Sequence, residues 1–376
     1  MMHSGHASPS GTARFRSRFP AFTKAGHFRR CECGKPLSEL WLSSIGIGTY
    51  LGEPDAVTDQ RYTDAVAAAI DRGVNVLDSA INYRLQRSER NIGAALKQAF
   101  ESGKTQRDEL LICTKAGFLT YDGTVPADPR RYFLEEYVES GVAPRDELVG
   151  GMHCMAPAYL QNQLERSRRN LGVDTIDIFY IHNPEQQLAE ISRDMFYDRL
   201  RRAFTALEQE VSKGTIRVYG TATWNGYRQS PSSREYLDLA QIAGIASEVA
   251  GDLHHFRAVQ LPFNLGLPEA FTADNQRVGE RQMSLLAAAK ELGIAVIASA
   301  TLLQGRLAAR LPEFVRETLK CDSDAEAAIQ FARSAPGVTS ALVGMSRREH
   351  VDSNLKIASQ SPAETSVWEG LFQRQE

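Results

Sequence analysis

Four side chains of different chemistry stand at or just past the ends of short apolar runs. An acid, Asp78, and a phenol, Tyr83, lie in VNVLDSAINY; an amine, Lys115, ends LLICTK; an imidazole, His182, ends IDIFYIH. Lysine is almost never buried without a partner, so Lys115 at the end of an apolar run calls for an acid, and Asp78 is a candidate. A cation held beside a phenol favours the phenolate and lowers the phenol pKa. Tyr83 next to a Lys115–Asp78 pair is therefore a candidate proton donor at neutral pH. Each residue alone has a structural explanation: a rim aromatic, a helix cap, a core histidine. Together, at matching strand ends, they point to an acid–base site.

Such a site needs elements whose ends converge. Eight near-continuous apolar runs fit strands buried on both faces, at 43–50, 74–78, 110–115, 176–182, 215–222, 256–263, 294–300 and 339–345. Amphipathic segments of helical spacing alternate with them, at 61–73, 89–103, 156–172, 199–214, 234–244, 281–293, 324–337 and 348–358. Several stop at a glycine, as at Gly73, Gly103, Gly172 and Gly214. The pattern predicts an α/β chain folded as a (β/α)8 TIM barrel, with the strand ends gathered on one face. A doubly wound open sheet is disfavoured, because GIGTYLG (46–52) is not a G-x-G-x-x-G turn opening a helix.

The 376 residues, 43% hydrophobic and 24% charged, suit one barrel domain over 27–376. A net charge of −3 argues against nucleic acid as an electrostatic partner. No run approaches the roughly 20 apolar residues of a membrane span, and the N-terminus lacks a signal-type apolar core. Residues 1–26 read as a flexible basic arm. The five scattered cysteines suggest reduced thiols and a cytoplasmic setting, with Cys31 and Cys33 an inert pair in a turn. Residues 117–155 form a long insert after strand 3, read as a substrate lid whose Tyr121, Tyr132, Phe133 and Tyr137 are candidates to line a pocket. His153 reads as a solvated loop histidine; His254 and His255 fall in a connection. No metal-ligand spacing stands out.

The chain resembles the aldo-keto reductases from about residue 27 to 357. GIGTYLG (46–52), GVNVLDSAINY (73–83), ICTK (112–115), LGVDTIDIFYIH (171–182), KGTIRVYG (213–220), VQLPFNL (259–265) and GMSRREHVDSNL (344–355) follow the family's landmarks in order. The resemblance implies a catalytic tetrad of Asp78, Tyr83, Lys115 and His182, in which Lys115 lowers the Tyr83 pKa and His182 orients the carbonyl oxygen. It implies hydride transfer between NADPH, with NADH second, and a small aldehyde, ketone or polyol. Tyr50, Tyr83, His182 and Trp224 would meet the substrate.

For the cofactor, the resemblance implies Gly48, Thr49, Tyr50 and Asp78 near the nicotinamide, with Thr223 and Gln260. Asn264 follows in the QxPxN context. Ser299, Leu302 and Gly305 follow strand seven. Gly344, Ser346, Arg347, Arg348, His350 and Asn354 follow strand eight, where the two arginines would suit a ribose 2′-phosphate. Departures from the family pattern are Ala222 for a serine, Ser299 for a stacking aromatic and Ser353 for a glutamate. The changes at Ala222 and Ser299 leave room for a redox-neutral enzyme, and the resemblance also admits a sugar dehydrogenase or a cofactor-sensing member of the same family.

Overall fold

Eight short parallel strands close into a barrel in a computed structural model that describes residues 2–373. They are β1 Ile45–Gly48, β2 Val76–Asp78, β3 Leu111–Ala116, β4 Ile176–His182, β5 Ile216–Ala222, β6 Phe256–Pro262, β7 Ala295–Ser299 and β8 Val338–Gly344. Each pairs with its sequence neighbour, and β8 returns to β1 with Ala341 opposite Ile45 and Gly344 opposite Gly48. Helices cover the outside, so β3 and β4 are buried at every position, which is why they read as unbroken apolar runs.

The twofold alternation of a strand then decides which residues look inward. Val76, Leu111, Cys113, Ile178, Tyr180, Val218, Ala258 and Ile297 fill the barrel interior. Two residues further along three of these files stand Asp78, Lys115 and His182. The same register that packs the core therefore delivers those three polar groups to the C-terminal mouth.

N-caps set several helix starts apart from the expected bounds. Asp55 accepts from the Thr58 N–H at 2.7 Å and opens Ala56–Asp71, and Ser192 opens Arg193–Lys213. The helix expected over 234–244 runs instead from Leu239 to Ala250, because Asp238 caps it. The one expected over 281–293 shrinks to Leu285–Glu291 behind Ser284, and Arg281–Met283 pairs with Gln276–Val278 as a hairpin.

The expected flexible arm is a correction. Residues 9–17 and 20–24 are helical. Phe15 is fully buried against Phe19 and Phe28, with ring centroids 5.3 and 6.0 Å away, and the Ala7 N–H donates to Asp177 at 2.7 Å. Alternating basic residues masked this apolar face. Cys31 and Cys33 are a second correction, since a tight bend joins them as a disulfide; Cys113, Cys154 and Cys321 are free. Thr365–Gln373 adds a helix that the alternation did not predict, anchored by fully buried Trp368, whose indole N–H donates to the Phe331 carbonyl. Among the described residues no helix is long and apolar enough to cross a membrane.

Candidate active site

At the mouth of the barrel Lys115 Nζ lies 2.5 Å from Asp78 Oδ2 and donates to the Ser79 carbonyl at 2.6 Å. The other Asp78 oxygen accepts from the Gln260 amide at 2.8 Å. Lys115 is fully buried and Asp78 nearly so. The ammonium sits 5.0 Å from the centre of the Tyr83 ring, and the His182 ring lies edge-on to Tyr83 with centroids 5.7 Å apart. The structure thus brings together all four residues singled out at the strand ends.

Burial and charge pull against each other here. Burial raises the Asp78 carboxyl, and Lys115 and Gln260 draw it back. Burial opposes the Lys115 ammonium, but Asp78 outweighs it and the lysine pKa ends above its usual value. Burial pushes the Tyr83 phenol pKa up, and Lys115 draws it down in the sense the sequence suggested, offsetting the burial only in part. Tyr83 is therefore firmly protonated in the free protein. His182 is held well below its usual value by burial and by the nearby Lys115 charge, so its ring is neutral.

The tyrosine is set on an unusual piece of backbone. Arg84, Leu85 and Gln86 follow it with φ of 47°, 58° and 72°, three left-handed non-glycine residues in a row. Such conformations cost on the order of 1–3 kcal/mol each and persist where surroundings enforce them. Arg84 supplies the enforcement. Its buried guanidinium donates to the Glu53 carbonyl at 3.0 Å, to Asn91 at 2.7 Å and to Asp59 at 2.7 Å. Sequence reasoning passed over Arg84 because a charged residue at a helix start looks solvated.

These groups open into a cavity of about 800 Å³. Tyr50, Tyr83, His182 and Trp224 line its catalytic end; Gly48, Thr49, Asp78, Thr223, Gln260 and Ser299 line the middle. Leu302, Gly305, Gly344, Ser346, His350 and Asn354 continue it outward. Arg347 and Arg348 differ. They line a separate polar groove with Asp64, Asp71 and Glu349, because the helix they start turns its other face to the cavity. Asn264 lies outside the lining and ties the loop after β6 to the one after β7, donating to the Ala300 carbonyl at 2.9 Å.

The insert contributes Phe118 to the lining and not its four other aromatics. Tyr121, Tyr132, Phe133 and Tyr137 pack on one another, Tyr121 stacking on Phe133 at 4.5 Å, and the buried Tyr137 hydroxyl donates to the Thr120 carbonyl. His153 is buried rather than solvated, with its ring hydrogen-bonded on both nitrogens.

Thr301 and Asn82 of the cavity escaped sequence reasoning, because single polar residues in loops carry no periodic signal. The Thr223 and Thr301 hydroxyls and Asn82 Oδ1 are buried at the cavity with no hydrogen-bond partner. Buried polar atoms are normally satisfied, so these are free to receive a polar ligand. The cavity's volume and its unpaired hydroxyls fit a nicotinamide dinucleotide. Glu185, close behind His182, is fully buried; its Oε1 accepts the N–H groups of Trp224, Asn225 and Gly226 at 2.8, 3.1 and 3.4 Å. Burial pushes this carboxyl up to about 7.

The model of the Aldo/keto reductase family matches residues 44–371. D-threo-aldose 1-dehydrogenase from a Pseudomonas species is 28% identical over 204 residues, covering 50% of this chain and 52% of that protein. L-glyceraldehyde 3-phosphate reductase from Escherichia coli K12 is 27% identical over 163 residues, covering 43% and 38%. The chain thus spans about half, or less, of the length of these curated relatives. An aldo/keto reductase from Klebsiella pneumoniae, solved with NADP and acetate, superposes with a TM-score of 0.61 at 18% identity, over 92% of this chain and 94% of that one.

Proposed function

The chain belongs to the aldo/keto reductase family, and from that premise we propose that it moves a hydride between NADP(H) and the carbonyl carbon of an aldehyde or ketone. The observation that carries this reading is the Lys115–Asp78 pair, buried beside Tyr83 at the cavity floor. Two apolar residues would fill that space without the cost of desolvating two charges, so the pair serves chemistry rather than stability.

The nicotinamide dinucleotide supplies the hydride, which no side chain of the protein can provide. Thr223, Thr301 and Gln260 would hold its nicotinamide half, and Ser346, His350 and Asn354 the adenosine half. The NADP carried by the Klebsiella relative supports the phosphorylated cofactor, with NADH second. Tyr83 Oη gives its proton to the carbonyl oxygen as that oxygen gains charge, and takes it back in alcohol oxidation. Lys115 stabilises the phenolate left behind, and Asp78 keeps Lys115 charged and in place. His182, neutral, offers a ring N–H to the same oxygen and so fixes the carbonyl relative to Tyr83. A cytoplasmic location belongs to the same proposal, since the enzyme would draw on the cell's reduced dinucleotide pool.

A second reading is oxidation of a sugar hydroxyl in the reverse direction. Asn82 Oδ1, an unpaired acceptor in the cavity, favours a hydroxylated substrate, as does the sugar-oxidising Pseudomonas relative.

Tyr83→Phe tests the core of the proposal. Hydride transfer should fall by about 10²–10⁴-fold, the range for a lost general acid, with NADPH affinity near that of the unaltered protein. Turnover within a few-fold of that protein would remove Tyr83 from the mechanism.

A further inference from the structure

The imidazole of His182 has an unexpected weakness of support. Its Nδ1 is buried without a hydrogen-bond partner, so no side chain sets the ring's orientation through that atom. The ring rests instead on edge contacts, with Tyr83 at 5.7 Å and Phe118 at 5.3 Å between centroids, and on its own backbone. On its β5 side that backbone is held, with His182 opposite Ala222 and the Asn183 N–H donating to the Ala222 carbonyl at 2.6 Å. The β3–β4 ladder ends at Ala116 opposite Ile181, one residue short of His182, so the His182 carbonyl has no partner in β3.

His153 supplies the partner from the insert. Its Nε2 lies 2.8 Å from the His182 carbonyl oxygen. A carbonyl can only accept, so Nε2 carries the proton. Nδ1 is then an acceptor, and it receives the Gln187 amide N–H at 2.8 Å. Gln187 Oε1 in turn accepts from the Arg199 guanidinium, which also donates to the Glu147 carbonyl at 2.9 Å. Every donor in this chain meets an acceptor, and His153, Gln187 and Arg199 are all buried. The chain begins at a cation on the long helix Arg193–Lys213 and ends at the main chain of His182.

The sequence makes room for it. Phe118 and His153 pair across the base of the insert, so the insert closes on itself directly beside β4. A Cβ at Gly117 would overlap the His182 carbonyl oxygen and come within 2.9 Å of His153 Nε2, so only glycine lets the two approach. The Phe118 ring stands edge-on to both imidazoles, 5.0 Å from His153 and 5.3 Å from His182.

We propose that His153 is a positioning residue for the reaction, holding the main chain of His182 against Arg199 through Gln187, so that the unbraced imidazole faces the carbonyl oxygen correctly. This rests on the role assigned to His182 above. A displacement of about 1 Å in such a group can cost on the order of 10²-fold in rate.

The test is a double-mutant cycle on single-turnover hydride transfer with saturating NADPH. His153→Phe keeps the ring's bulk and removes the donor; it should slow transfer by about 10–100-fold, with NADPH affinity within about twofold. His153→Gln restores a donor at the Nε2 position and should recover most of the rate. In a His182→Ala background His153→Phe should cost nothing further, because the group it positions is gone. An equal loss in both backgrounds, or no loss in the first, overturns the proposal. If His182→Ala alone leaves the rate unchanged, the role of His182 fails instead, which is a separate result. Should His153→Phe not fold, Gln187→Met cuts the same chain one bond further out, and its loss of rate should likewise vanish without His182.

Discussion

Glu185→Gln separates one buried charge from the rest of the protein. The Glu185 carboxyl is fully buried, and burial moves it from its ordinary 4.5 to about 7 despite three backbone N–H donors on one oxygen. Its other oxygen has no partner. Because the folded-state pKa lies above the unfolded one, the folded protein holds this proton more tightly than the unfolded chain does. The stabilisation is fully present below about pH 4.5, is lost as pH rises through about 7, and does not change further above that. A rise of that size corresponds to on the order of 3 kcal/mol. Unfolding entropies of about 2.1 cal/mol/K per residue convert this to ~4 °C in Tm for a chain of this length. Glutamine keeps an acceptor for the three N–H groups and cannot ionise. The Tm of Glu185→Gln relative to the unaltered protein should therefore rise by ~4 °C between pH 4.5 and 8.5, as followed by circular dichroism. His27, His153 and His254, all depressed by burial, titrate in the opposite sense, but they do so in both proteins and cancel in the difference. A Tm difference that stays flat across this range would mean that the three N–H groups hold Glu185 ionised throughout, and that the desolvation reasoning is wrong.

Two further perturbations probe the cavity floor and its outer end. Lys115→Met strands the Asp78 carboxylate with only the Gln260 amide for company, and should cost about 3–5 kcal/mol together with nearly all turnover. Adding Asp78→Asn should restore most of that stability and none of the turnover; a stable, active Lys115→Met would contradict both. Arg347→Ala with Arg348→Ala should leave NADPH and NADH affinities each within about threefold, since both side chains face the groove with Asp64 and Asp71. A charge-assisted phosphate contact is worth roughly 1.5–3 kcal/mol. A tenfold loss confined to NADPH in a binding titration would show that these guanidiniums swing to the 2′-phosphate.

What was legible in the sequence follows from which forces leave a periodic trace. Strand burial on both faces writes continuous apolar runs, so all eight strands and the polar residues at their ends could be read. Lys115 was the most informative single residue, because an amine closing a run of buried positions has so few explanations. Loop chemistry leaves no such trace. The aromatics of the insert looked like a pocket lining by composition, yet they satisfy one another, as Tyr121 does on Phe133. His153 looked solvated because it sits in the long insert, and only the closure of the insert on β4 buries it. The arm over 1–26 misled through its arginines: Arg14 and Arg18 pair with Glu109 while Phe15 fills the space beneath.

The two halves of the cavity are built on different principles. At the proton-handling end every charge is committed: Asp78 to Lys115 and Gln260, and Arg84 to acceptors that hold Tyr83's turn. That end is fixed before any ligand arrives, which is what positioning of an acid requires. Along the cofactor stretch the pattern reverses. Thr223 and Thr301 are buried with hydroxyls unpaired, and Ala222 and Ser299 offer little bulk where the family commonly has larger groups. An unsatisfied buried hydroxyl costs on the order of 1–3 kcal/mol, a cost the protein carries until something polar fills the cavity. Natural chains break local rules of this kind mainly at functional sites. The unpaired atoms therefore mark the stretch where binding energy is released. Changes to Thr223 or Thr301 should act on cofactor affinity, whereas changes around Tyr83 and His182 should act on the rate of the bound complex.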